Sequence, residues 1–391
     1  MAKLVKKIIE NYIKHKKSTM LCIGPMSKNI IDSAIEVSNE IDIHLTLISS
    51  RRQIDSKEFG GGYVCNWDTF SYSNYIKKHD KKKKIILARD HGGPWQNTIE
   101  ISNKLNKKKA IESAKLSFKN DIDAGFDIIH IDTSVTPFKN YKIHTILDML
   151  FELYEYCVEY SRDNNKEILF EVGTEEQSAS ANTLELFEYS LNKIINFAEK
   201  NNYQKPTFAV AQTGTKVIEF ENIGSFDNPI RVKKELPPEL QIPIISNICN
   251  KTGIFLKEHN TDYLSDEALA WHPRLGINAA NVAPEFGVLE TKTIINVLKK
   301  NNLTVCMDKI LKLSYDSKKW KKWLKIDTKL TDTEKSILSC HYIFSSKTYL
   351  ELINEAKIEL FKKNINLDVI VKEKIKKNIL RYAYNFRMIG L

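Results

Sequence analysis

Short apolar runs alternate with longer amphipathic stretches along most of this chain. Residues 19–23, 44–48, 84–89, 127–131, 167–170, 206–211, 253–257 and 276–282 carry apolar positions without helical period. That is the pattern of strands buried on both faces. Between them, residues 30–40, 69–79, 111–124, 144–161, 183–200, 266–271 and 294–300 read as helices. Residues 1–17 predict a leading amphipathic helix, with Leu4, Ile8, Ile9, Tyr12 and Ile13 on one face. About eight strand–helix units is the number that closes a parallel barrel. The pattern therefore predicts an α/β fold, a (β/α)8 TIM barrel over residues 1–301. Residues 302–391 lack strand alternation and read as a helical, basic C-terminal extension packed on the barrel.

The strand ends carry the chemistry. The third run stops in Asp90-His91 and then turns at Gly92-Gly93-Pro94, which delivers a carboxylate and an imidazole at a strand's carboxyl end, where sites sit in parallel barrels. Other strands end near Ser49 and Arg51, Asp132, Glu171, Gln212, His259 and Asn281. Two histidines with two or three carboxylates suit a divalent cation such as zinc. A metal polarises a carbonyl while a carboxylate moves the proton. Alternation places Leu169 with Glu171, His130 with Asp132, and Ala279 with Asn281 on common faces. Each residue also has an ordinary structural reading: Asp132 as a turn cap, His259 as a core histidine, Arg51 in an ion pair, Glu175 and Glu176 as a solvated loop pair.

Composition narrows the class. With 391 residues, 42% of them hydrophobic, the chain can bury a sizeable core. No segment is apolar for long enough to span a membrane, and the lysine-rich start does not read as a signal peptide, so a cytoplasmic protein is expected. Cys22, Cys65, Cys157, Cys249, Cys306 and Cys340 are scattered and suggest neither a zinc ribbon nor a disulfide framework. The formal charge of +10 is spread over many segments and comes without any nucleic-acid-binding signature. It suits a small anionic substrate.

Several pieces together resemble the Z-type subunit family of tagatose-bisphosphate aldolase, related to the class II zinc-dependent sugar-phosphate aldolases. They are Gln53 through Gly60-Gly61-Gly62-Tyr63, Asp90-His91-Gly92-Gly93-Pro94, Gly173-Thr174-Glu175, His259-Asn260-Thr261-Asp262-Tyr263 and Lys319-Trp320. The resemblance implies a zinc-dependent (β/α)8 enzyme in which Asp90 transfers the proton and Glu175 is a second catalytic candidate. It implies His91 and His259 as metal ligands, with Glu171 near the metal and completing the set. Arg51, Asp132, Gln212 and Asn281 are then expected to hold a phosphorylated sugar, helped by backbone amides of the glycine-rich loop. Class II aldolases supply a further zinc histidine after the sixth strand, where this chain has Gln212-Thr213-Gly214-Thr215, and Pro284 replaces a phosphate-holding hydroxyl residue. The Z-type family shares the missing histidine and has been described as a non-catalytic partner.

Three functions follow. One is a metal-dependent aldolase for a ketose phosphate. The second is a non-catalytic subunit that stabilises a class II aldolase. The third is a Schiff-base aldolase using Lys257 or Lys216, for which a barrel-core ion pair is the competing role of Lys257. A homo-oligomer, or a complex with a catalytic aldolase subunit, is expected.

Overall fold

The computed structural model describes residues 2–173, 183–227 and 236–389. Eight parallel strands close into a barrel: β1 (Met20–Ile23), β2 (Leu45–Ser50), β3 (Ile85–Gly92), β4 (Ile128–Asp132), β5 (Leu169–Gly173), β6 (Phe208–Val210), β7 (Phe255–Glu258) and β8 (Ala279–Val282). Neighbours in sequence are neighbours in the sheet, and β8 returns to β1, pairing Asn281 with Cys22. Outward-facing Leu21, Leu47, Ile129, Phe170 and Leu256 are fully buried against the surrounding helices, which is why these strands read as continuous apolar runs.

Strand boundaries differ from the sequence expectation at the mouth. β3 runs on through Asp90 and His91 to Gly92, and β5 through Glu171 to Gly173, because backbone pairing continues past the last apolar side chain. The ladder between β3 and β4 shifts register between Arg89 and Gly92. His91, at φ +44°, takes a left-handed backbone that non-glycine residues rarely adopt. Gly93 lies just beyond, at φ +154°, and a Cβ there would fall 2.0 Å from the Asp132 carbonyl oxygen. The turn after β3 is thus pressed against the end of β4, and only glycine fits.

A helix over Pro238–Thr252, in the long connection after β6, was not expected from the sequence. Pro238 occupies its first turn, where a missing N–H costs nothing. The helix Asp266–Leu275 likewise continues through Pro273. The leading helix Ala2–Glu10 widens into a π turn over Asn11–His15.

From Thr304 onward the described chain is helical and packs on the barrel. Its last helix, Leu367–Asn385, lies along Lys28–Glu40 and Pro284–Lys300. Lys372 pairs with Glu36 and Lys376 with Glu40, and the Tyr382 hydroxyl donates to Glu285 at 2.5 Å. Among the described residues no helix is long and apolar enough to cross a membrane.

Two fully buried guanidiniums brace the loops after β2 and β3. Arg89 donates to both oxygens of Asp121 on helix Lys107–Ala124, and to the carbonyls of Ser49 and Ile54. Arg51 pairs with Asp55 at 2.9 Å and Glu100 at 2.6 Å. Removing one partner would strand a charge away from water. Asp121→Ala should therefore lower unfolding free energy by about 3–5 kcal/mol in urea titration. A loss below about 1 kcal/mol would contradict the assigned bracing role.

Candidate metal centre

Alternation on four strands aims polar side chains into the top of the barrel. Asp90 comes from β3, His130 from β4, Glu171 from β5 and His259 from the end of β7. The register sets His130 directly beside Glu171. One donor atom from each of these four lies within 4.8 Å of all the others. Glu171 Oε1 is 3.4 Å from His130 Nδ1 and 3.3 Å from His259 Nε2. Asp90 Oδ1 stands slightly further from the same two nitrogens, at 3.9 and 3.8 Å. Donors at roughly 2.0–2.1 Å from a tetrahedral zinc lie about 3.3 Å apart, so the Glu171–imidazole spacings fit such an ion.

Two further observations bear on that fit. The Nδ1 of His130 that faces Glu171 also accepts from the His91 amide at 3.2 Å, while its Nε2 points toward Gly173 and is buried without a hydrogen-bond partner. In addition, two carboxylates and two imidazoles are the mixed N/O donor set that zinc accepts.

Lys257 points into the barrel from β7 and its Nζ bonds Glu171 Oε2 at 2.6 Å, both groups being buried. This is the barrel-core ion pair anticipated as the competing role for that lysine. Burial alone would raise the Glu171 carboxyl, but Lys257 and the His130 and His259 imidazoles outweigh it and hold it at about 2. Burial opposes ionisation of Asp90 too, yet His91, His130 and His259 keep it well below the usual carboxylate range. Burial pushes His259 down, which favours the neutral imidazole that a metal requires.

The sequence-predicted residues separate into groups. Asp90, Glu171, His259 and Asn281 converge, with Asn281 Nδ2 donating to Asp90 Oδ1 at 3.1 Å. His91 lines the same cleft but stands outside the donor cluster: its Nδ1 pairs with Asp132 Oδ2 at 2.6 Å. Burial would lower its pKa, but the Asp90 and Asp132 carboxylates outweigh this and raise it to about 9. The donor cluster thus takes its second imidazole from His130, not from His91. Asp132 is engaged by His91, by Gln96 Nε2 at 2.9 Å and by the Ser134 amide at 2.9 Å. It orients His91.

Arg51 is buried outside the cleft in its ion-pair network, because the chain turns away from the mouth after β2. Gln212 does not line the cleft, and its carbonyl accepts from Gln241. The glycine-rich loop spends its amides internally: Gly60, Gly61 and Gly62 donate to the carbonyls of Lys57, Ser56 and Trp67. A Cβ at Gly62 would lie 1.9 Å from the Gln53 carbonyl oxygen, so that glycine serves close packing. Glu175 lies outside the described residues.

The segment after β6 adds no donor to the cluster but braces the chain that carries His259. Thr215 donates to the His259 carbonyl at 2.8 Å, and Thr213 bonds the buried Glu258, which also pairs with His272 at 2.7 Å. The missed cluster member, His130, had a signal: it shares a face with Asp132, one layer deeper.

Around the cluster opens a cleft of about 380 Å³, lined also by Arg52, Tyr63, Lys322, Trp323 and Tyr342. The last three come from the C-terminal extension. This is a size that takes a small metabolite.

Together these features define a parallel barrel with a metal-type donor set at the carboxyl ends of its strands. Solved structures share that fold. A probable tagatose 6 phosphate kinase from Sinorhizobium meliloti 1021 superposes with TM-score 0.75 at 13% identity, over 94% of this chain and 100% of that one. A fructose-bisphosphate aldolase from Campylobacter jejuni gives TM-score 0.57 at 10% identity, over 100% and 95%. A fructuronate-tagaturonate epimerase from Cohnella laeviribosi gives 0.56 at 11%, over 94% and 81%. No family model matches the chain, and no curated protein matches it in sequence.

Zinc loading should give one ion per chain by elemental analysis. His130→Ala and His259→Ala should each weaken zinc binding by more than about 100-fold, beyond the loss typical of outer contacts, while His91→Ala should leave the stoichiometry intact. Loss on His91→Ala with retention on His130→Ala would reverse the assignment.

Proposed function

We propose that this protein is a divalent-metal-dependent aldolase acting on a ketose phosphate or bisphosphate, through a dihydroxyacetone-phosphate-like donor. The observation that carries the reading is the convergence of Asp90, His130, Glu171 and His259 on one point, with Asp90, His130 and His259 lining the cleft and Glu171 buried behind them. His130, Glu171 and His259 would hold the ion, the His2Glu set that leaves a coordination position open. When bound, it supplies a Lewis acid for the substrate carbonyl.

The remaining steps fall to the chain's own groups. Asp90 faces the cleft with its side chain 13% exposed and stays ionised at neutral pH, so it accepts the proton of the reacting hydroxyl as the carbon–carbon bond breaks. Asn281 holds that carboxylate in place through Nδ2. His91, kept cationic by Asp132, returns a proton to the carbanionic carbon. Lys257 is occupied by Glu171 and absent from the cleft lining, which argues against a Schiff-base route.

The absence of a histidine after β6 favours a second reading, the non-catalytic stabilising subunit suggested by the Z-type resemblance. His130 supplies a second imidazole from β4 instead, and for that reason we favour catalysis.

In a retro-aldol assay on ketose phosphates, chelator should abolish turnover and zinc should restore it. Asp90→Asn should reduce kcat by about 10²–10⁴-fold with zinc content retained. Chelator-insensitive turnover would rule out the metal role. No turnover alone, with a stable complex formed on adding a separately encoded class II aldolase, would decide for the second reading.

A further inference from the structure

A phosphate in a (β/α)8 barrel commonly sits at a helix N-terminus beyond the last strands. Here that place is taken by the protein itself. Asp262 Oδ1 accepts from the amides of Ala283 at 2.9 Å and Glu285 at 2.8 Å, at the start of helix Pro284–Lys300. Pro284 contributes no N–H at all. The glycine-rich loop after β2 has no free amides at its three glycines either. An anionic substrate group must therefore be met elsewhere in the cleft.

Two cations stand at the rim. Arg52 follows β2, and Lys322 belongs to the 3-10 turn Lys319–Trp323 of the C-terminal extension. Both line the cleft whose floor is the donor cluster, and both are exposed to it. Among the described residues neither forms an ion pair with the protein. The turn carrying Lys322 is pinned in place. The Trp323 carbonyl accepts from the Glu219 amide at 2.8 Å, Lys325 bonds Glu219 and Glu221, and Trp323 Nε1 donates to the Tyr342 hydroxyl at 3.2 Å. Lys322 Nζ lies 4.8 and 4.9 Å from the Trp323 and Tyr342 ring centroids, so its position is set by the turn. The surrounding protein, then the charge of Arg52, push its ammonium down to about 8. The two like charges repel across the rim, and an anion placed between them would relieve that repulsion.

We infer that Arg52 and Lys322 form a two-cation subsite for the anionic terminus, phosphate or carboxylate, of the molecule that reaches the metal centre. The guanidinium offers a planar fork to two oxygens, and the ammonium a point charge. The extension is then part of the substrate site. The inference rests on the proposed function only in naming that molecule a sugar phosphate.

Calorimetry on the full zinc-loaded chain tests it with three probes: glycerol 3-phosphate, glycerate and uncharged glycerol. One or both anions should bind more tightly than glycerol, with affinity falling as salt rises. Arg52→Met and Lys322→Met should each weaken the preferred anion by about tenfold, and the double variant by more. Zinc content and glycerol binding should not change. Whichever anion is lost identifies the headgroup. Anion affinity unchanged in the double variant, or no anion preference in the native chain, overturns the subsite. Anion binding that depends on Arg52 and Lys322 in a chain that cleaves no ketose phosphate keeps the subsite and rejects the aldolase.

Discussion

Asp90 and Glu171 are held inside the barrel with donor oxygens within 4.8 Å of each other. Two ionised carboxylates that close repel by at least about 3 kcal/mol at an effective dielectric of about 20. The rest of the site follows from what offsets that repulsion. Lys257 takes one oxygen of Glu171, and the other faces two imidazoles together with Asp90. A divalent cation held by Glu171 and the imidazoles would place positive charge beside Asp90 as well, which Lys257, bonded only to Glu171, does not.

Holding four donors so close requires a stiff frame. Parallel pairing fixes the strand positions, and the bulged end of β3 turns Asp90 inward while His91 adopts a left-handed backbone. Behind that turn, the Arg89–Asp121 and Arg51–Asp55–Glu100 pairs replace water with charge-assisted bonds. On the other side, Thr213 and Thr215 secure the chain that presents His259. The extension adds a lid-side wall through Trp323 and Tyr342, so cluster and cleft are built from opposite ends of the sequence.

The barrel was legible because two-sided burial writes continuous apolar runs, and because helices between them keep their 3.6-residue period. Asp90 and His259 were legible because each directly follows such a run. His130 was not, since a histidine inside an apolar strand reads as an ordinary core residue, and only the register reveals Glu171 beside it. Arg51 misled for the opposite reason: a strand-end position does not say which way the chain turns, and here it turns under the helices. The helix Pro238–Thr252 was hidden by its own first-turn proline. Lys322 sits in a basic run far from the strands, and nothing local marks it as facing the cleft.

The central claim is that β4, β5 and β7 hand their side chains to a single cation, beside the Asp90 carboxylate from β3. X-ray absorption at the zinc edge of the loaded protein tests this most directly. The account predicts two imidazole nitrogens and carboxylate oxygen at about 2.0–2.1 Å. A spectrum with one imidazole or none would contradict it.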